Sequence, residues 1–109
     1  MLEISEAQLE EVTRLLESRL PHVKAFAFGS RVVGWPFGSG PRPHSDLDIG
    51  LLGLNRDDDV ALAHLRADLE ESDLPWRVDL SRMEDLPQAL REMIGQCGIQ
   101  ISTQTAHQD

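Results

Sequence analysis

The sequence predicts an α/β (α+β) fold in which helices pack on one small mixed sheet of about four strands. The chain has 109 residues, which is enough for a single domain with one modest core. Its apolar residues alternate between a helical spacing and short continuous runs that are typical of buried strands. A stretch dense in glycine and proline interrupts this alternation after the first strand, and such a stretch forms neither helix nor interior strand.

The predicted elements follow the order helix, strand, loop, strand, helix, strand, helix, strand. The first helix begins with a capping box formed by Ser5 and Gln8. Because strands joined by a helix usually pair in parallel and strands joined by a loop need not, we expect a mixed sheet. We assign residues 1–102 to one domain and residues 103–109 to a polar tail. Helices are predicted at residues 5–19, 57–72 and 84–97, strands at 23–28, 47–52, 76–80 and 99–102, and the long loop at 29–45.

The charge balance limits the classes of partner. The chain has ten Lys and Arg residues and nineteen Asp and Glu residues, which gives a formal net charge of −9. An acidic protein repels nucleic acid and anionic membrane surfaces, so we expect neither as a partner. A basic protein partner fits this charge, although the charge also serves to keep a small protein in solution. The N-terminal residues do not resemble a signal peptide, and a single cysteine, Cys97, excludes an intramolecular disulfide, so we expect a cytoplasmic protein.

Two aspartates, Asp46 and Asp48, lie at the start of the second predicted strand. Residues two apart on an extended chain point to the same face and are separated by roughly 6.5 Å along the strand. Their carboxylates are the oxygen ligands that magnesium prefers, together with substrate phosphates. An Asp-x-Asp pair alone is a weak signal, because it is also common in solvated loops and turn caps.

A third aspartate, Asp79, interrupts the apolar run of the third predicted strand. Burying an unpaired charge is costly, which favours a functional reason for its position. If the second and third strands are neighbours about 4.8 Å apart, Asp79 faces Asp46 and Asp48. Three such carboxylates repel one another unless cations neutralise them, which indicates a two-metal site for phosphoryl chemistry. The alternative is three separate surface aspartates.

The segment Gly29-Ser30-Arg31 follows the first predicted strand directly. Glycine permits a sharp turn, and the backbone N–H groups and the Ser30 hydroxyl can bind phosphate oxygens. Arg31 adds a cation that can hold a phosphate through two hydrogen bonds. The alternative is an ordinary turn at the end of a strand.

Taken in order, these motifs resemble the minimal nucleotidyltransferase (MNT) family of the DNA polymerase beta-like nucleotidyltransferase superfamily. The resemblance extends over residues 5–102, and the ordered combination is far more specific than any one motif. It implies the polymerase beta-like nucleotidyltransferase fold. The residues that carry it are Phe28-Gly29-Ser30-Arg31, Gly34, Ser45-Asp46-Leu47-Asp48 and Val78-Asp79-Leu80.

The resemblance implies a reaction in which a hydroxyl group attacks the α-phosphorus of ATP and pyrophosphate leaves. ATP is then the nucleotide donor, and two magnesium ions are expected in the site. The third carboxylate, Asp79, is also expected to activate the acceptor hydroxyl. The implied site consists of Asp46, Asp48 and Asp79 for metal binding and catalysis, and of Gly29, Ser30, Arg31 and Ser45 for nucleotide binding.

Small bacterial members of this family are often paired with HEPN proteins in toxin–antitoxin modules, in which the MNT protein is the antitoxin and transfers AMP to its toxin. The resemblance therefore implies a HEPN-type toxin as partner and acceptor, in a hetero-oligomer. One alternative is an antitoxin that neutralises its partner by binding alone. A second alternative is a nucleotidyltransferase for a small molecule such as an antibiotic, although those enzymes usually carry a further helical domain.

Four other features receive structural explanations or stay open. The acidic run Asp57–Asp59 is expected to begin a helix rather than to bind metal, because acidic residues suit a helix N-terminus. His44 is expected to be a solvated loop residue, and Gly98 is expected to end the last helix. Residues 35–41 look like an insertion relative to the family. Three roles stay open for their aromatic residues: contact with a partner, a cover over the nucleotide base, or packing on the protein itself.

Overall fold

The computed structural model of the chain describes residues 2–36 and 46–101. Short 3-10 helices at Arg56–Asp58 and Met83–Asp85 lie before the second and third α-helices. The described residues form three α-helices, α1 (Glu6–Arg19), α2 (Asp59–Glu70) and α3 (Gln88–Cys97), and four strands, β1 (Lys24–Phe28), β2 (Leu47–Leu52), β3 (Val78–Arg82) and β4 (Ile99–Gln100).

The strands form one mixed sheet in the order β3-β2-β1-β4. Strands β2 and β3, which are joined by α2, pair in parallel, whereas β1 pairs antiparallel with both β2 and β4. The helix-linked pair is therefore parallel and the loop-linked pair is not, as the sequence predicts. After α3 the chain returns to the far edge of the sheet, so β4 lies beside β1. The fold is α+β, and the predicted fold class is confirmed.

One face of the sheet carries the hydrophobic core. Alternate strand residues such as Ala27, Ile49 and Leu80 are buried and pack with apolar residues of α1 and α2. The opposite face is covered in part by the segment that leads into α3. A Cβ atom on Gly50 would lie 2.9 Å from the Met83 Cε atom, so this face of β2 packs directly on that segment. Residues at even positions of β2 therefore face away from α1 and α2.

The starts of the helices follow their capping residues. Ser5 and Gln8 form the predicted capping box: the Ser5 Oγ accepts from the Gln8 N–H, and the Gln8 Oε1 accepts from the Ser5 N–H. The predicted helix at residues 57–72 instead opens with a 3-10 turn. There Asp58 accepts hydrogen bonds from the Asn55 N–H at 2.7 Å and from the His22 ring at 2.8 Å, so this member of the acidic run has a structural role.

The last helix is shorter than the sequence predicts. Pro87 occupies its N-cap and forces Leu86 into an extended conformation, so α3 begins at Gln88 rather than near residue 84. Gly98 ends the helix at the predicted position, but its φ is −71°. A Cβ atom on Gly98 would lie 2.6 Å from the Ile94 carbonyl oxygen, so close approach rather than a left-handed conformation calls for glycine there.

The remaining boundaries differ from the predictions by a few residues. Strand β3 begins at Val78 rather than at residue 76, and β4 ends at Gln100. In the described ranges, 2–36 and 46–101, the helices are too short or too polar to cross a membrane. The predicted tail at residues 103–109, and with it the domain boundary, lies outside the described residues.

Candidate active site

Two of the predicted carboxylates lie side by side on parallel strands, and the third lies just before the first of these strands. Asp48 is the second residue of β2 and pairs in register with Asp79, the second residue of β3. Asp46 precedes β2 by one residue and is two positions from Asp48, so both point to the same side of the chain. This is the side opposite α1 and α2. The register is fixed by a hydrogen bond of 2.9 Å from the Leu47 N–H to the Arg77 carbonyl oxygen.

The electrostatics of Asp48 reflect this arrangement. Its pKa is raised from 3.8 to about 6, first by partial burial, then by the negative charge of Asp79 and then by that of Asp46. Like charges therefore act on Asp48 from both predicted partners, while Asp79 itself is exposed. A group of carboxylates under such repulsion gains stability when a cation neutralises it.

The Gly29-Ser30 turn lies against one of these carboxylates, that of Asp48. Strand β1 lies on the side of β2 away from β3. Its last residue, Phe28, pairs with Asp48, and the chain turns immediately after Phe28. Gly29 has a φ of +86°, and a Cβ atom on it would lie 2.5 Å from the Asp48 Oδ2 atom. The Val32 N–H closes the turn by donating to the Gly29 carbonyl at 3.0 Å. The turn and the aspartates therefore form one site, which side chains at position 29 would obstruct.

The donor set fits a hard divalent cation. Carboxylate oxygens are the ligands that magnesium prefers, usually one or two from the protein with the rest from water and phosphate. Within residues 2–36 and 46–101, no three His, Cys, Asp or Glu side chains converge closely enough to enclose a metal by themselves. This is compatible with a cation that Asp46 and Asp48 would share with the phosphates of a nucleotide.

Arg31 makes different contacts from those expected of a phosphate ligand. Its side chain is buried, and its Nη1 donates to the Glu3 carbonyl at 3.0 Å. Its guanidinium carbon lies 4.8 Å from the centre of the Trp76 ring, within the range of a cation–π contact. Arg31 thus connects the N-terminal segment and the glycine turn to the segment that leads into β3. Its predicted contact with phosphate stays a prediction.

The remaining sequence predictions concern the long loop. Ser45, His44 and most of the insertion, including Phe37, lie outside the described residues. Trp35 is described: its ring lies 6.0 Å from the Phe28 ring, at an interplanar angle of 44°, and it packs against the core. Of the alternatives for the aromatic residues, packing on the protein itself is therefore what the structure shows for Trp35.

Sequence reasoning missed a cavity of about 570 Å³ beside β3. Its walls come from the C-terminal half of α2, from the segment that precedes β3 and from β3 itself, and they include Trp76, Arg77 and Asp79. Asp79 therefore borders both the carboxylate cluster and this cavity. No local sequence pattern predicts the cavity, because the cavity forms only when elements distant in the sequence pack together.

Comparison with known proteins finds a relative of this chain. No family model matches the chain. The chain is 36% identical over 93 residues to the probable protein adenylyltransferase MntA of Haemophilus influenzae, covering 85% of this chain and 77% of that protein.

Solved structures are similar to the chain in fold. The chain is similar to a toxin–antitoxin structure with AMP-PNP, with a TM-score of 0.63 and 26% identity over 85% of this chain and 71% of the other. It is also similar to the MntA–HepT toxin–antitoxin structure, with a TM-score of 0.60 and 22% identity over 89% of this chain and 71% of the other. These likenesses support the α+β fold and the mixed sheet.

Proposed function

The chain belongs to the MntA family of protein adenylyltransferases, and we propose that it transfers AMP from ATP to a hydroxyl group of a partner protein. The observation that carries this proposal is the approach of the Gly29 backbone to Asp48, which itself pairs with Asp79. A turn able to bind phosphate thus meets a group of carboxylates able to bind metal. The relative from Haemophilus influenzae is named a probable protein adenylyltransferase, which favours a protein acceptor over a small molecule.

We propose that the site residues bind the triphosphate, hold the metal and accept the proton of the acceptor hydroxyl. The backbone N–H groups at Gly29 and Ser30 bind and orient the triphosphate, and Ser45 and Arg31 assist. Asp46, Asp48 and Asp79 would hold magnesium, which when bound supplies positive charge to the triphosphate. The Asp79 carboxylate accepts the proton of the acceptor hydroxyl, whose oxygen attacks the α-phosphorus as pyrophosphate leaves. Positioning of the reactants provides most of the rate enhancement.

The proposed partner is a HEPN-type toxin, with this chain as its antitoxin in a hetero-oligomer. Two observations support this proposal. Structures similar to this chain are toxin–antitoxin pairs, one of them MntA–HepT. The net charge of −9 favours association with a basic protein surface. ATP is proposed as the donor because one of these toxin–antitoxin structures contains AMP-PNP.

The test uses ATP labelled at the α-phosphate, magnesium, the purified protein and lysate from its own source. We expect one labelled protein band, which would identify the acceptor. The Asp79→Asn variant should lose the label by roughly a hundredfold or more. The matched control is Asp57→Asn, because Asp57 is an exposed aspartate outside the site, and it should label normally.

Two outcomes would contradict the proposal. Undiminished labelling by Asp79→Asn would show that the carboxylate cluster does not catalyse the transfer. Absence of any label, combined with a partner that stays bound to the protein on a column, would favour an antitoxin that acts by binding alone.

A further inference from the structure

The outer edge of β3, beside the candidate site, directs backbone groups away from the sheet. Within the described part of the chain, β3 is the end strand of the sheet. The Leu47 N–H donates to the Arg77 carbonyl, so odd-numbered residues of β3 direct their backbone groups to β2. The backbone groups of Val78 and Leu80 therefore point away from the sheet. The Arg66 Nη2 atom, 3.2 Å from the Leu80 carbonyl oxygen, lies on that outer side.

The cavity of about 570 Å³ runs along this same edge. Asp79 contributes to its wall and, in the register of the sheet, lies beside Asp48. A molecule in the cavity therefore approaches the carboxylate cluster from the side of Asp79, the residue that we assign to the acceptor hydroxyl. The nucleotide, by contrast, is assigned to the side of Gly29, across β2.

Arg77 gives the cavity an exposed cation. The residue is exposed, lines the cavity and forms no ion pair with the residues that the structure describes. Glu70 and Asp79 also line the cavity, so the favoured occupant carries a single carboxylate placed at Arg77 rather than an acidic run. The neighbouring Trp76 ring, already in contact with Arg31, provides a flat wall.

We propose that this cavity is the docking surface for the acceptor segment of the protein substrate, which adds to β3 as an extended strand. This inference rests on the proposed function. The segment pairs with the outward backbone groups of Val78 and Leu80, places its hydroxyl side chain beside Asp79 and offers a carboxylate to Arg77. Arg66 covers the Leu80 carbonyl in the free protein and moves aside when the segment binds, in the way that charged side chains protect the edges of sheets.

The docked arrangement accounts for each atom of the transfer. The acceptor oxygen forms a bond to the α-phosphorus, and the bond from that phosphorus to the oxygen that bridges it to the β-phosphate breaks. The electron pair of the broken bond leaves with pyrophosphate. The hydroxyl proton passes to the Asp79 carboxylate, which the register places at the same level of the sheet as Asp48.

The first test measures steady-state transfer to the acceptor protein that the labelling experiment identifies. We expect Arg77→Glu to raise the KM for the acceptor about tenfold or more, because it reverses the charge that the carboxylate of the acceptor segment would contact. The kcat and the Kd for AMP-PNP should change much less than the KM for the acceptor. Arg56→Glu is the matched control, since Arg56 is also exposed but lies beyond the far end of β2, and it should leave the KM unchanged.

The second test measures amide hydrogen exchange by NMR on the complex with the acceptor protein and AMP-PNP. We expect the Val78 and Leu80 amides, which point outward, to exchange at least about tenfold more slowly in the complex than in the free protein. The Asp79 amide already faces β2, so its exchange should change much less. Unchanged exchange at Val78 and Leu80 in the saturated complex would overturn the strand addition.

The two tests separate this inference from the proposed function. If the parent protein labels its acceptor but Arg77→Glu keeps the parent KM, the docking surface is wrong and the transfer activity stands. If the parent protein binds AMP-PNP but labels no acceptor at all, the proposed function is wrong and the inference falls with it.

Discussion

At Gly29 the backbone of the turn comes within reach of the Asp48 carboxylate because there is no side chain in between. A Cβ atom there would lie 2.5 Å from the Asp48 Oδ2 atom, and the φ of +86° is a conformation that other residues rarely adopt. The identity of this one residue therefore determines how closely the turn approaches the metal-binding carboxylate.

We expect Gly29→Ala to lower the rate of nucleotidyl transfer by about a hundredfold, because it displaces Asp48 from its position. Strain at the positive φ should also cost about 1 kcal/mol of stability. Gly34→Ala is the control, since Gly34 has the same φ of +86° but nothing within 4 Å of the position of a Cβ atom. The measurement is the transfer of labelled AMP. Equal activity of the two variants would show that the close approach of residue 29 to Asp48 is unimportant.

The raised pKa of Asp48 makes the stability of the metal-free protein depend on pH. With a pKa of about 6 against an ordinary 3.8, folded Asp48 keeps a proton that the unfolded chain has released. Its contribution to stability is therefore complete below the ordinary value and is lost as the pH rises through about 6. Magnesium opposes this loss, because it binds the charged form.

We expect Asp48→Asn to remove this pH dependence and to stabilise the metal-free protein at pH 7 by roughly 1 kcal/mol, after allowance for solvent screening. The measurement is the free energy of unfolding in a chelating buffer between about pH 4.5 and pH 7.5, where Asp48 titrates. Asp57→Asn removes an exposed charge outside the cluster and should keep the parent slope. A parent-like slope in Asp48→Asn would exclude Asp48 as its origin.

At the scale of elements, the 3-10 turn before α2 depends on Asp58. This buried carboxylate accepts from the Asn55 N–H, which is the largest cause of its lowered pKa, and from the His22 ring, which is the next. Asp58 joins the start of α2 to the segment between α1 and β1. Because its pKa is lowered, its stabilisation is present above the ordinary pKa of aspartate and is lost as the pH falls through the lowered value.

We expect Asp58→Ala to lower the free energy of unfolding at pH 7 by about 1–2 kcal/mol, because it removes a cap and a buried hydrogen-bond partner. The adjacent Asp57→Ala should change it by less than about 0.5 kcal/mol, because Asp57 is exposed. Urea unfolding measures both variants. Equal losses in the two would mean that general charge at the helix start, rather than the contacts of Asp58, provides the stabilisation.

The sequence predicts the elements whose signals are local. The bounds of β2 are correct to the residue because an apolar run is limited there by Asp46 and by Gly53, and α1 is correct because of its capping box. The start of α3 is wrong because Pro87 outweighs the apolar spacing before it. Trp76 is an apolar residue that packs with Arg31 instead of joining the ladder, so β3 begins later than the prediction.

In the candidate site, too, local features are predictable from the sequence and contacts between distant segments are not. The spacing of Asp46 and Asp48, and the position of Asp79 within an apolar strand, follow from local patterns and are predictable. The pairing of these two strands, which the sequence prediction assumed, is shown by the structure. The contact of Arg31 with Trp76 and the cavity beside β3 depend on packing between segments far apart in the sequence. Such contacts leave no periodic or compositional signal, and a single sequence therefore does not reveal them.

At the scale of the whole molecule, stability and chemistry occupy opposite faces of the sheet. Helices α1 and α2 cover one face and are joined by an ion pair in which the Arg19 Nε lies 2.7 Å from the Asp68 Oδ2. The carboxylates and the glycine turn lie on the other face, outside the core. Removing a site carboxylate should therefore abolish function while the fold persists, which makes the central claim directly testable.

The central claim is that the aspartates and the glycine turn together bind a nucleotide through magnesium. The measurement that tests it most directly is calorimetric titration of the purified protein with AMP-PNP, with magnesium and with a chelator. We expect binding in magnesium that weakens by roughly a hundredfold with the chelator or in the Asp46→Asn/Asp48→Asn double variant. Equal affinity in all of these conditions would contradict the claim, because the nucleotide would then bind without metal and without these aspartates.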